Sequence, residues 1–345
     1  MPAPDRPRIS EIRPLWAVEG GRVTLRGSGF PVDDVRLPQV RIGALEAHIV
    51  RASPTALDVV VPDGIEGGSA AVRLSDLPGE TAFLEIGQPI ARDLHQVDSP
   101  VFDGEGNVYV TVSGGRGQQV AEPLFRVSRD GTRQPIAAGL SNATALAFDG
   151  RGRLYVSNRF DGTVHRLLDD ERVETFASDL GSPCGLAFDT NDVLHVGDRS
   201  GSILRVTPAG EVSVLATLPS SVAAYHLAFG PDGALYVAVP TLCSRDAVYR
   251  VGPDGDVRVV YDGFGRPQGL AFDRQGFLFV VEAMAGEAGL LRLRVDRPDP
   301  APERVLAAGT LVGVAIDPRG GLVVASNETA YRLDVPLKPL DQARV

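Results

Sequence analysis

The sequence predicts an all-β chain in two parts. A small β-sandwich covers residues 8–87, and a six-bladed β-propeller covers residues 88–345, closed by an outer strand that precedes its first blade. Three observations carry this reading. Short apolar runs are punctuated throughout by single turn residues. One phrase recurs six times at a near-constant spacing. The unit missing a strand at the end of the chain finds its match at the front.

The 345 residues include 39 Gly and 26 Pro, which fall singly between short apolar runs. That is the pattern of many turns between many strands. In the first part the runs are Arg22–Arg26, Val40–Ile42, Leu57–Val61, Ala70–Leu74 and Thr81–Ile86, each bounded by Gly, Pro, Asp or Ser. Two packed sheets of such strands need only about 80–100 residues.

The recurring phrase is an apolar run ending in Phe or Ile, usually followed by Asp, then a Gly turn and a second strand. It reads SPVFDGEGNVYVT from Ser99, TALAFDGRGRLYVS from Thr144 and CGLAFDTNDVLHVG from Cys184. It continues as HLAFGPDGALYVA from His226, QGLAFDRQGFLFVV from Gln268 and VGVAIDPRGGLVVA from Val312. The aligned positions Phe102, Phe148, Phe188, Phe229, Phe272 and Ile316 are 46, 40, 41, 43 and 44 residues apart. A period of about 40–45 residues with four strands per unit is the signature of propeller blades. Unit 6 has three strands and then runs into PLKPLDQARV. The stretch Gly87–Asp103 aligns without a gap to Arg133–Asp149, so Gln88–Ala91 is expected to supply the missing strand and close the ring.

Composition narrows the function classes. The net charge is −10, and neither part presents a basic surface, which argues against a nucleic-acid partner. Two cysteines allow one disulfide at most, and no apolar run is long enough to span a bilayer, so no membrane partner is expected. The opening Met-Pro-Ala-Pro-Asp-Arg lacks a charged segment followed by an apolar one. The default reading is cytoplasmic, and a periplasmic or extracellular protein with its signal already removed would look the same. The glycine-rich run Gly114–Gln119 lacks the strand-to-helix setting of a phosphate cradle and reads as an insertion over the ring's mouth. No nucleotide or organic cofactor is expected.

Two resemblances follow from these residues. Gly20–Phe30, Val40–Gly43 and Ser53–Pro62 resemble the IPT/TIG family of immunoglobulin-like domains, which implies a spacer or docking role for 8–87. Pro183–Val206 and Pro267–Ala283 resemble NHL-type repeats and the regucalcin/gluconolactonase family of six-bladed propellers. The latter resemblance implies a lactonase- or lyase-like activity and a central divalent ion, usually calcium. The ion would be held by a Glu, an Asn and an Asp just ahead of the innermost strands. Here the first-blade position is Asp98, and the other matching positions hold Thr144, Cys184, Tyr225, Gln268 and Val312.

The hairpin formed by the first two strands of each unit places candidate residues at one end of the ring. Asp98, Asn142, Thr144, Cys184, Tyr225, His226 and Gln268 lie where first strands begin. Ser113, Asn158, Asp198, Glu282 and Asn327 lie where second strands finish. Asp98, Asp198 and Glu282 are the candidate ligands for Ca²⁺ or another divalent ion. Asn142, Thr144, Tyr225, Gln268, Asn158 and Asn327 are candidate ligand-binding residues. His226 and Cys184 are the catalytic candidates. His226 stands out because the same position is small in the other units, at Ser99, Ala145, Gly185, Gly269 and Gly313, and a broken local rule marks a functional or strained site. His195 takes the place of Tyr155, Tyr236 and Phe279 and reads as a core substitute. Two functions remain open. One is a small-polar-ligand site, catalytic as a metal-dependent lactonase or a lyase. The other is a non-catalytic scaffold for a protein or carbohydrate partner.

Overall fold

The computed structural model describes residues 7–33, 37–74, 81–114, 120–137, 140, 142–168, 172–284, 287–297, 300–317 and 319–333. Most of the glycine-rich run and the segment after Leu333 therefore lie outside the described residues. Among those described, every regular element is a strand, and no helix is long and apolar enough to cross a membrane.

The chain forms an all-β propeller. Units 1 to 4 each fold as a separate four-stranded antiparallel sheet. Unit 1 runs Val101–Phe102, Val108–Thr111, Leu124–Val127 and Arg133–Ala137. The innermost strands of units 2 to 4 are Ala143–Phe148, Pro183–Phe188 and His226–Phe229. Unit 6 is also a separate sheet, ordered Gly313–Ile316, Leu322–Ala325, Ala330–Leu333 and Gln88–Ala91. Its fourth strand is the one the gapless alignment points to, with Ala330 opposite Ala91 and Arg332 opposite Gln88. The innermost strand of each unit lies beside that of the next, and unit 6 returns to unit 1.

Packing between units explains the repeat's aromatic positions. Tyr109 meets Phe148 edge-on at 5.2 Å, Tyr155 meets Phe188 at 4.8 Å, and Tyr236 meets Phe272 at 4.8 Å. His195 meets Phe229 at 5.0 Å, so its imidazole does the packing work of the tyrosines. Edge-to-face rings contribute about 0.5–1.5 kcal/mol beyond the area they bury. The Asp of the repeat closes the hairpin at the opposite end. Asp149 accepts from the amides of Arg151 and Arg153, and Asp103 from those of Glu105 and Asn107.

The expectation of six separate blades is corrected. Among the described residues five separate four-stranded sheets form. Unit 5, with Pro267–Phe272, Phe277–Glu282, Gly289–Arg294 and Glu303–Ala307, is one end of a twelve-stranded sheet. The strands of 8–87 form the rest of that sheet and are thereby joined to unit 5. The cause is the two-residue strand Trp16–Ala17, which pairs in parallel with Glu85–Ile86 on one side and with Leu306–Ala307 on the other. Side chains seal the join. Val18 packs among Phe279, Leu306 and Tyr331, and Ala307 sits in the core of the N-terminal strands. Glu19 accepts from Arg92 at 2.9 Å, from the Tyr331 hydroxyl at 2.8 Å and from the Gly64 amide at 2.8 Å.

Candidate functional site at the ring's end

The innermost strands begin so close together that side chains are excluded there. A Cβ on Gly185 would lie 2.3 Å from the Tyr225 carbonyl oxygen. One on Gly269 would lie 2.6 Å from the Gly313 Cα, and one on Gly313 would lie 2.4 Å from the Ser99 Cα. Unit 4 alone places a large ring at this level. His226 Nδ1 lies 2.6 Å from Asp98 Oδ1, joining the fourth unit to the first. Both side chains are withdrawn from solvent, at 1% and 9% exposure. The carboxylate also accepts the Ser99 amide at 2.6 Å. With the carboxylate as acceptor, the imidazole carries its proton on Nδ1, and a neutral ring then presents a lone pair at Nε2. That Nε2 is buried and has no hydrogen-bond partner.

Cys184 lies near enough for the Asp98 charge to act on it, but it is no activated thiolate. Burial, first, pushes the thiol up to about 11, and Asp98 adds to this. Its S–H donates to the Ser182 carbonyl at 3.1 Å. At about pH 8 iodoacetamide is expected to alkylate the exposed Cys243 and spare Cys184, read by peptide mass. Rapid labelling of both would show a thiolate that the geometry does not support.

Several candidates bond to the scaffold around them. Tyr225 is fully buried among Ile203, Leu235 and Val237, and its hydroxyl donates to the Pro219 carbonyl. Asp198 accepts from the Ser182 amide at 2.8 Å and from the Ser200 hydroxyl. Glu282 accepts three amides, from Gly265, Arg266 and Met284, at 2.7, 2.7 and 2.9 Å. Asn158 caps its own turn by accepting the amides of Phe160 and Asp161. These three occupy equivalent second-strand ends. Asp198 and Glu282 tie that end to the loop before the first strand. Asn142 donates to the Gly114 carbonyl at 2.9 Å, and Thr144 to the Asn142 carbonyl at 2.8 Å. Asn327 donates to the Gln96 carbonyl at 2.7 Å, and Gln268 is buried where its strand begins.

The proposed ion ligands do not converge. Among the described residues no three of His, Cys, Asp and Glu gather as a metal set. Calcium takes about six to eight oxygens, whereas Asp98 Oδ1 is taken by His226 and Ser99, and Asp198 and Glu282 serve separate loops. The residues present do not fit a calcium centre.

Sequence reasoning missed Gln96 and Thr111. Gln96 is 1% exposed and donates through Nε2 to the Asp98 carbonyl at 2.8 Å. The gapless alignment of units 1 and 2 already sets it opposite Asn142 and could have found it.

A ring of four-stranded sheets with a buried His–Asp pair at one end defines a β-propeller protein. Residues 152–335 match the SMP-30/gluconolactonase/LRE-like region, and the chain belongs to that family. No curated protein sequence matches the chain. Solved structures share the fold at low identity. An auxiliary nutrient binding protein from Bacteroides ovatus is 11% identical, with 95% of this chain and 97% of that one covered and a TM-score of 0.55. A putative oxidoreductase (glucose dehydrogenase) from Thermus thermophilus is 21% identical over 71% and 98%, with a TM-score of 0.54. Virginiamycin B lyase from Staphylococcus aureus is 15% identical over 72% and 88%, with a TM-score of 0.50.

Proposed function

We propose that this protein binds a small polar ligand at the end of the ring and acts on it as a lactonase- or lyase-like enzyme, with His226 as the base and Asp98 holding it. The observation that carries the proposal is the buried, unpartnered Nε2 of a ring whose Nδ1 is fixed by a carboxylate. Asp98 keeps the lone pair at Nε2 and stabilises the ring once it is protonated, the part an orienting carboxylate plays beside a catalytic histidine. In lactone opening His226 takes a proton from water as the water oxygen bonds to the carbonyl carbon. The ring C–O bond breaks, and the departing oxygen takes a proton back, giving the hydroxy acid. In a lyase reaction the same nitrogen takes a proton from carbon, a C=C bond forms, and the leaving group departs.

In this reading residues 8–87 serve as an IPT/TIG-like docking segment outside the site. Neither reaction here uses a divalent ion. A stoichiometric ion lost together with activity on chelation would overturn that part.

Gluconolactone is the first probe, followed by proton release. Wild type is expected to open it, and His226→Gln to be slower by about 10²–10⁴-fold. Equal rates would reject His226 as the base. A second reading, a non-catalytic protein- or carbohydrate-binding scaffold, is favoured by Val214 and Val259, exposed at 65% and 56% on the outermost strands of units 3 and 4. It gains if the wild type opens no lactone.

A further inference from the structure

His226 Nε2 is not alone. Gln96 Oε1, Thr111 Oγ1 and Ser113 Oγ are also buried without a hydrogen-bond partner, and their residues are 1%, 1% and 0% exposed. All four belong to one connected neighbourhood. Gln96 bonds to Asp98, and Asp98 to His226. The Ser113 amide donates to the His95 carbonyl at 3.0 Å, which sets Ser113 against the residue before Gln96. Val112 bridges His95 in parallel, which brings Thr111 and Ser113, on either side of Val112, to the residue before Gln96. Folded proteins leave few buried polar atoms unpaired, because each forfeits its hydrogen bonds to water without replacement. Four around one buried His–Asp hydrogen bond are accounted for by a ligand that supplies the partners.

We propose that Gln96, Thr111 and Ser113 are ligand-binding residues of this same site. We further propose that the buried end of the ligand is an uncharged or cationic hydrogen-bond donor, an amino or hydroxyl group. The inference rests on the reading of His226 given above. Gln96 Oε1 can only accept a hydrogen bond, and so can His226 Nε2 with the ring proton on Nδ1. The two hydroxyls accept equally well. The Asp98 carboxylate turns away an anion. Donors on the ligand satisfy all four atoms at once.

Ethanolamine and glycolate, similar in size and opposite in charge, test this by ligand-observed NMR and by thermal melts of the full chain. Ethanolamine is expected to bind and raise the melting temperature, and glycolate to do neither. Gln96→Leu, Thr111→Val and Ser113→Ala are each expected to melt higher than wild type without ligand, because an unpaired polar atom is removed. Each is also expected to lose about tenfold or more in ethanolamine affinity. Variants that melt lower and bind unchanged would make these residues scaffold and reject the inference. Glycolate binding, or no ethanolamine binding to wild type, would reject the ligand class. Loss of binding in His226→Gln, with the other three variants binding as wild type, would reject this inference and leave the role of His226 standing.

Discussion

Asp98→Ala is expected to remove ligand binding and to destabilise the fold by about 1–3 kcal/mol, the range for leaving a buried hydrogen-bonding group unsatisfied. The change strips the Nδ1 partner from an imidazole that is 1% exposed, so both ring nitrogens would then be buried and unsatisfied. It also removes the acceptor of the Ser99 amide at the start of the first innermost strand. An exposed pair such as Arg13–Glu11 makes the contrast, since such pairs contribute about 0.2–1 kcal/mol. Denaturant midpoints and slopes would measure the loss. Asp98→Asn retains an oxygen acceptor and is expected to lose less. If Asp98→Ala unfolds at the wild-type midpoint, the pair has no structural weight. The sequence places His226 at one end of the ring. The structure buries it, so His226→Ala is expected to lower stability as well as function.

Gly313→Ala is the second large expected effect. The added methyl would lie 2.4 Å from the Ser99 Cα, 2.9 Å from the Asp98 carbonyl oxygen and 2.9 Å from the Ser99 amide. All three are backbone atoms, so relief requires moving the segment that carries Asp98. Overpacking of this kind costs about 1–3 kcal/mol. The shift also opens the 2.6 Å contact to His226, so ligand binding is expected to weaken along with stability. Gly104→Ala is the control, because nothing lies within 4 Å of its added carbon. It is expected to change stability by no more than about 0.5 kcal/mol. Equal melting of the two variants would show that the inner strands have slack.

What could be read from the sequence is what repeats or breaks a repeat. The phrase around Phe102, Phe148 and their equivalents marks the units. The gapless match of Gln88–Ala91 finds the strand that completes unit 6, and the one bulky residue among small ones finds His226. Trp16–Ala17 stayed hidden because a two-residue parallel strand has no period of its own, yet it merges unit 5 with the N-terminal strands. The strand Leu45–Ser53 is mostly exposed and lacks alternation, so it carries no pattern to read. The link from His226 to Asp98 spans 128 residues, and nothing local in either segment announces the other. Asp198 and Glu282 look like ligands by residue type. Their backbone partners, visible only in three dimensions, make them loop ties.

The closing strand also sets an order of events as the chain is made. Gln88–Ala91 leaves the ribosome long before Ala330–Leu333, the strand it must pair with. Nearby, Asn327 reaches back 231 residues to bond Gln96. Contacts of such separation form slowly. Until the last unit emerges, unit 6 has no sheet, Gln88–Ala91 has no partner, and the segment bearing Gln96 and Asp98 lacks one wall. Units 1 to 4 can each form their hairpins during synthesis. The end of the ring that carries His226 and Asp98 is therefore assembled last, after translation of Leu333, and a chain stalled short of that point carries an open edge that invites pairing with another copy.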